Sequence, residues 1–259
     1  MRLVALRIAA VLVALSWLLM PGFGLVDLGV TWNPEWPVVL EASWGTVMTV
    51  LVAGSFLAVA VRPRATAPAL VILGVTLATW IVSAAAGQEW ELLGYAGLLT
   101  VETGLLLLVP GRERLRPVRW SVRPPLLLLA LAAAVPWALH AVAMYRLNRF
   151  NVLEATGDIT MGVDHQAVQG GMALGLIALP LLAAVWPRGR RHLGVSVGLV
   201  AGYVGLVSFA FPGTAGGWSP AWSVSGMAWG VAVAVVSVVP SRLEPGELRG
   251  EVVEAERAL

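Results

Sequence analysis

The chain is 259 residues long, 58% hydrophobic and only 12% charged, with a mean hydropathy of +0.82. Water-soluble domains lie nearer half apolar and a quarter charged, so an ordinary soluble globule is excluded. No cysteine or lysine is present and all 17 basic residues are arginine, which excludes iron–sulfur clusters, c-type haem attachment and covalent retinal.

At ~20 apolar residues per bilayer crossing, eight crossings take roughly 160 residues and leave only short loops. The expected fold is therefore an all-α, polytopic transmembrane bundle in a single domain over residues 1–240, with a tail over 241–259. The first span is expected near 4–24. Met1-Arg2 before an apolar run has the look of a secretory signal. No small-x-small cleavage site follows Leu19 and Met20, so a retained anchor is expected.

The second span, near 38–60, follows Trp32-Asn33-Pro34-Glu35-Trp36 and carries Glu41 one turn inside its start. A carboxylate there either stabilises the helix start or lines a pocket. Spans near 67–86 and 92–110 flank a tight turn at Gly87-Gln88-Glu89-Trp90. Glu102 lies about ten residues into the fourth span, hence ~15 Å from its end and near the midplane. An ionised group there costs at least ~2.5–3.5 kcal/mol. Glu102 is thus expected to be neutral or hydrogen-bonded, as a stitch between helices, a proton relay or a ligand contact, with Tyr95 on its side two turns away.

Residues 111–124 hold Arg112, Arg114, Arg116, Arg119 and Arg123, a belt suited to anionic lipid. The fifth span, near 125–146, contains Pro136 and, four residues on, His140. The densest polar stretch follows, from Arg146 to Gln169. Asp164 reads as an N-cap for a sixth span near 164–186, while His165 and Gln169, four apart, share a face pointing into the membrane. Spans near 193–211 and 222–240 complete the set. Gly194, Gly198 and Gly202 make a smooth face on the seventh, suited to packing within the chain or against a second copy or membrane partner.

Arginine placement orients the bundle. With the N-terminus inside, 15 of the 17 arginines are cytoplasmic and only Arg146 and Arg149 lie outside. That bias predicts N-in, C-in topology in the cytoplasmic membrane. The basic pI of about 9.7 is thereby accounted for without nucleic acid.

Topology then puts Glu41, His140, Asp164, His165 and Gln169 in the outer third of the bilayer. The functional expectation is an outward-facing polar pocket, with Glu102 at its floor, that binds or conducts a small polar or cationic ligand or a proton. The alternatives are a structural or assembly subunit, a metal site, or a membrane enzyme using His140 or His165 as general base. For metal, His140 with Met144 and Met161 with His165 are each four apart, and imidazole with thioether suits copper. The carboxylates Glu41 and Asp164 with the two histidines would suit zinc. No nucleophile elbow, H-E-x-x-H, P-loop or dinucleotide fingerprint occurs.

Asp158-Ile159-Thr160, Gly162, Asp164-His165 and Val168-Gln169-Gly170 resemble a pattern in uncharacterised multi-pass membrane proteins of high-GC bacteria with no assigned activity. The resemblance covers about residues 158–170 and implies no catalytic residues.

Overall fold

A computed structural model describes residues 2–30, 32–108, 120–150 and 163–240. Ten α-helices run in chain order: α1 (Arg2–Leu18), α2 (Gly24–Val30), α3 (Val38–Thr46), α4 (Gly54–Val61), α5 (Ala67–Gly87), α6 (Leu92–Leu108), α7 (Pro124–Arg149), α8 (His165–Val185), α9 (Pro187–Ala210) and α10 (Pro220–Val238). A π-helical stretch, Val47–Ala53, joins α3 to α4. No strand occurs among the described residues. Among the described residues six helices are long and apolar enough to cross a membrane: the continuous Val38–Val61, then α5, α7, α8, α9 and α10. The chain is a multi-pass integral membrane protein.

Proline starts several of these helices. Pro68, Pro124, Pro187 and Pro220 occupy the first or second position of α5, α7, α9 and α10, where a missing N–H costs nothing and the fixed φ favours the helix. At α10 the Ser219 hydroxyl also accepts from the Trp222 N–H. α9 begins six residues before the expected boundary of 193, because Pro187 starts a helix that carries Arg188, Arg190 and Arg191 out of the apolar region. Buried Arg190 donates to the Ala183 and Ser121 carbonyls, complementing the carbonyl end of α8.

The expected first span, 4–24, differs most. Helix α1 stops at Leu18, the chain turns through Phe23 with φ of 53°, and α2 begins at Gly24. A side chain on Gly24 would sit 2.8 Å from Met48 Cβ and from Thr49 Oγ1, and one on Gly45 would sit 2.9 Å from the Gly24 carbonyl oxygen. Two glycines thus let α2 lie directly on α3 and the π-helical stretch. The backbone freed at the break is satisfied from elsewhere: Trp44 Nε1 donates to the Gly22 carbonyl and the Tyr203 hydroxyl to that of Leu28.

Helix α8 is the central element, mostly buried, packed by α3, α5, α7 and α9. Helices α7 and α10 are peripheral, with only 22% of their apolar stretches buried. The small-residue face of α9 is occupied by α10: a side chain on Gly198 would meet the Gly230 carbonyl at 2.7 Å. Gly194 and Gly198 therefore serve packing within the chain, whereas a side chain on Gly202 would meet nothing within 4 Å. The bundle has a tryptophan-rich end, where α3, α8 and α10 begin, and an arginine-rich end, where α5, α7 and α9 begin.

Candidate functional site: a buried carboxylate–imidazole pair

Glu41 lies in the first turn of α3, where the helix's exposed N–H groups favour an acid. His165 is the first residue of α8. Glu41 Oε1 lies 3.4 Å from His165 Nδ1, and each side chain is 3% exposed. Trp44 follows Glu41 by three residues, so α3 presents a carboxylate and an indole on one side. The His165 ring stacks on Trp44 at 4.5 Å with an interplanar angle of 13°. The indole is itself held by its bond to Gly22 at the α1–α2 break.

Neither Glu41 Oε1 nor His165 Nδ1 has another hydrogen-bond partner among the described residues. Two facing acceptors leave both unsatisfied, whereas one proton held between them satisfies both. Gln169, a turn further along α8, donates from Nε2 to the Gly216 carbonyl at 2.8 Å. Asp27 of α2 adds a second carboxylate within electrostatic reach of Glu41 and of Tyr95.

A second polar cluster closes the tryptophan-rich end. Glu89, 5% exposed, follows left-handed Gln88 in the α5–α6 turn. Its Oε2 accepts from Asn148 Nδ2 at 3.0 Å, and it also accepts from the Asp164 backbone N–H. Asn148 donates to the Gly87 carbonyl and, through Oδ1, accepts from the Ala167 N–H. Asp164 does hold the N-cap position of α8, but its side chain makes no capping bond there. The capping oxygen comes from Asn148 on another helix. Burial pushes the Glu89 carboxyl up to about 7, the two hydrogen bonds opposing it in part.

The remaining candidates have other partners. Glu102 accepts from Trp17 Nε1 at 2.5 Å, a bond from the α1 side. Rings rather than a hollow connect it to the pair: Trp17 lies 6.3 Å from Tyr95, and Tyr95 lies 5.1 Å from Trp44. His140 faces the segment that leads into α10, where Trp218 Nε1 donates to its Nε2 at 3.4 Å. The single pocket expected from topology is thus distributed over four settings. Glu41 and His165 meet, with Gln169 a turn away; Asp164 joins the cluster around Glu89; His140 pairs with Trp218 and Glu102 with Trp17. Position along each helix was readable from spacing, but the azimuth of each helix was not.

Met144 is buried on α7, and Met161 lies outside the described residues, as do Asp158, residues 111–119 and the tail. Among the described residues no three His, Asp or Glu side chains are grouped so as to hold a metal ion. Asp27, Trp44, Glu89 and Asn148 escaped the sequence reading. A lone acid in Gly24-Leu-Val-Asp-Leu-Gly-Val30 was the one available signal for Asp27.

Compared with protein-family models, curated proteins and solved structures, the chain matches none.

Proposed function

We propose that this membrane protein binds a proton at the Glu41–His165 pair, exchanging it with the aqueous phase at the tryptophan-rich end. The carrying observation is the 3.4 Å approach of Glu41 Oε1 and His165 Nδ1, two enclosed atoms that have no other hydrogen-bond partner among the described residues. A proton needs no void, whereas a solute of any size needs the pair to open. Irregular backbone supports the reading, because the α1–α2 break and the π-helical stretch pack on each other beside the pair. Such interruptions recur where membrane helices serve a site.

In this proposal eight crossings, counting α1 and α6, run N-in and C-in, and the arginine bias turns the tryptophan-rich end outward. The membrane is the cytoplasmic membrane of a bacterium, and the arginines of 111–124 meet anionic headgroups. A small cation is the alternative ligand at the same site. A structural subunit is the rival reading, favoured by the Trp17–Glu102 and Asn148–Glu89 bonds that tie separate helices.

The test is proton uptake by detergent-solubilised protein after an acid pH jump, read with a pH dye. Wild type and Glu102→Gln are expected to show the same uptake, and Glu41→Gln and His165→Gln to take up less while remaining folded by circular dichroism, the uptake at Glu89 being common to all four. Equal uptake in all four proteins overturns the proposal and leaves the structural reading. Reduced uptake with no proton flux in proteoliposomes marks a binding site rather than a conduit.

A further inference from the structure

Helices α7 and α10 touch only sparsely and diverge to leave a cleft of about 460 Å³. That volume falls within the ~300–1,000 Å³ of sites that take small molecules. A hydrogen bond from Trp229 Nε1 to the Leu129 carbonyl at 2.9 Å joins the helices along one side. The Trp218–His140 contact joins α7 to the segment just before α10, nearer the tryptophan-rich end. Trp137 packs between, edge-on to Trp218 at 5.2 Å and tilted against Trp229 at 5.8 Å. The walls are therefore large, stiff aromatic rings, with small Ala133 and Gly226 leaving the space between them.

We propose that this cleft holds one hydrocarbon chain of a bilayer lipid. What surrounds these two helices decides the occupant. Both are membrane-spanning and the least buried in the bundle, and the rim residues Leu139 and Trp222 are 66% and 57% exposed. The cleft is thus lined by the helices that the bilayer bathes, and hydrocarbon is the medium at its mouth. The lining contains no carboxylate, arginine or lysine, so nothing in it recognises a charged ligand.

One feature separates this cleft from an ordinary lipid-facing groove. Pro136 has no N–H for the Ala132 carbonyl one turn earlier, and both residues line the cleft. An acceptor freed in this way needs a donor. His140, one turn further along α7, carries a second polar atom into the same wall. The geometry suits an amphiphile whose chain lies on the tryptophans and whose hydroxyl-bearing head is near His140 and Ser219.

The protein is reconstituted into nanodiscs with a phosphatidylglycerol whose acyl chain ends in a diazirine, irradiated, digested and mapped by mass spectrometry. Labelling of residues 132–140 and 217–229 is expected to exceed that of Val101, Leu105 and Leu199, which are equally exposed, by about fivefold, the ratio for ~1 kcal/mol of preference. Ser225→Phe, which fills the mouth, and Ala133→Leu, which fills the wall, are each expected to remove that excess while Val101 and Leu105 stay labelled. Uniform labelling of all these segments in wild type overturns the proposal by reducing the cleft to general lipid contact, and this arm needs no variant to fold. Persistence of the excess in both folded variants also overturns it. Absence of lipid adducts at 132–140 and 217–229 while Val101 and Leu105 are labelled would overturn it too, by showing that something other than lipid fills the cleft. Proton uptake at Glu41–His165 is measured separately, so either proposal can fail alone.

Discussion

Glu89 is where a single side chain makes the protein sensitive to pH. Its carboxyl is pushed up from an ordinary 4.5 to about 7, chiefly by burial. Folding therefore favours the protonated form, and its contribution to stability is complete below about 4.5 and is lost as pH rises through about 7. Thermal unfolding in detergent is expected to show a midpoint that falls between pH 5 and pH 8, and Glu89→Gln is expected to flatten that slope. An unchanged slope in the variant would place the titration elsewhere. Asn148 has three bonds to lose, to Gly87, Glu89 and Ala167. Asn148→Ala is expected to cost about 1–3 kcal/mol, the range for stranding buried polar partners. Asn148→Asp keeps the acceptor for Ala167 but sets a second carboxylate against Glu89. It should be worse than alanine at pH 8 and recover toward it at pH 5, when Glu89 carries its proton. Neither residue stood out in the sequence, because a Glu in a tight turn and an Asn at a helix end are ordinary surface residues until other helices bury them.

Helices were legible where apolar runs end at proline, and much less so where the backbone is irregular. Spans expected near 67–86, 125–146 and 164–186 match α5, α7 and α8 to within three residues at either end. Hydropathy averages over many residues and is blind to a break such as that at Leu19–Phe23, which depends on Gly24 and Gly45 allowing one backbone onto another. The Gly194, Gly198 and Gly202 spacing was equally visible, but its use required knowing the neighbour. In the structure the three positions are unequal. A Cβ on Gly198 would press on the Gly230 carbonyl and Ala234, whereas one on Gly202 meets nothing within 4 Å. Gly198→Ala should destabilise by about 1–3 kcal/mol through overpacking against backbone. Gly202→Ala should be neutral or stabilising by about 0.5–1 kcal/mol, since alanine is the better helix former. Similar losses in both would mean that the α9–α10 contact is looser than these distances.

At the scale of the molecule, two independent asymmetries coincide. Among the described residues most arginines gather at one end of the bundle, with only Arg146 and Arg149 at the other, where the enclosed acids Glu41 and Glu89 gather with His165. The membrane class followed from composition, and the position of each polar residue along its helix from span length. Which residues meet did not, because that depends on the rotation of each helix about its axis, and the even alternation of Leu, Ala, Val and Gly leaves rotation unmarked. A surface helix of a soluble protein shows its inward side by the polar stripe opposite, and helices apolar on nearly every face have no such stripe. Orientation is the remaining global property on which the proton proposal depends, and the natural absence of cysteine makes it directly measurable. Single cysteines at exposed Glu35 and Glu91 mark the tryptophan-rich end, and at exposed Ala65 and Trp120 the arginine-rich end. In intact cells a membrane-impermeant maleimide is expected to label Glu35→Cys and Glu91→Cys at once, and Ala65→Cys and Trp120→Cys only after permeabilisation. The reverse pattern would turn the Glu41–His165 pair toward the cytosol, where the proton it exchanges would come from the other side of the membrane. Labelling of Glu35→Cys and Glu91→Cys from opposite sides would show that α3 and α5 do not both cross, and with that the even number of spans would fail.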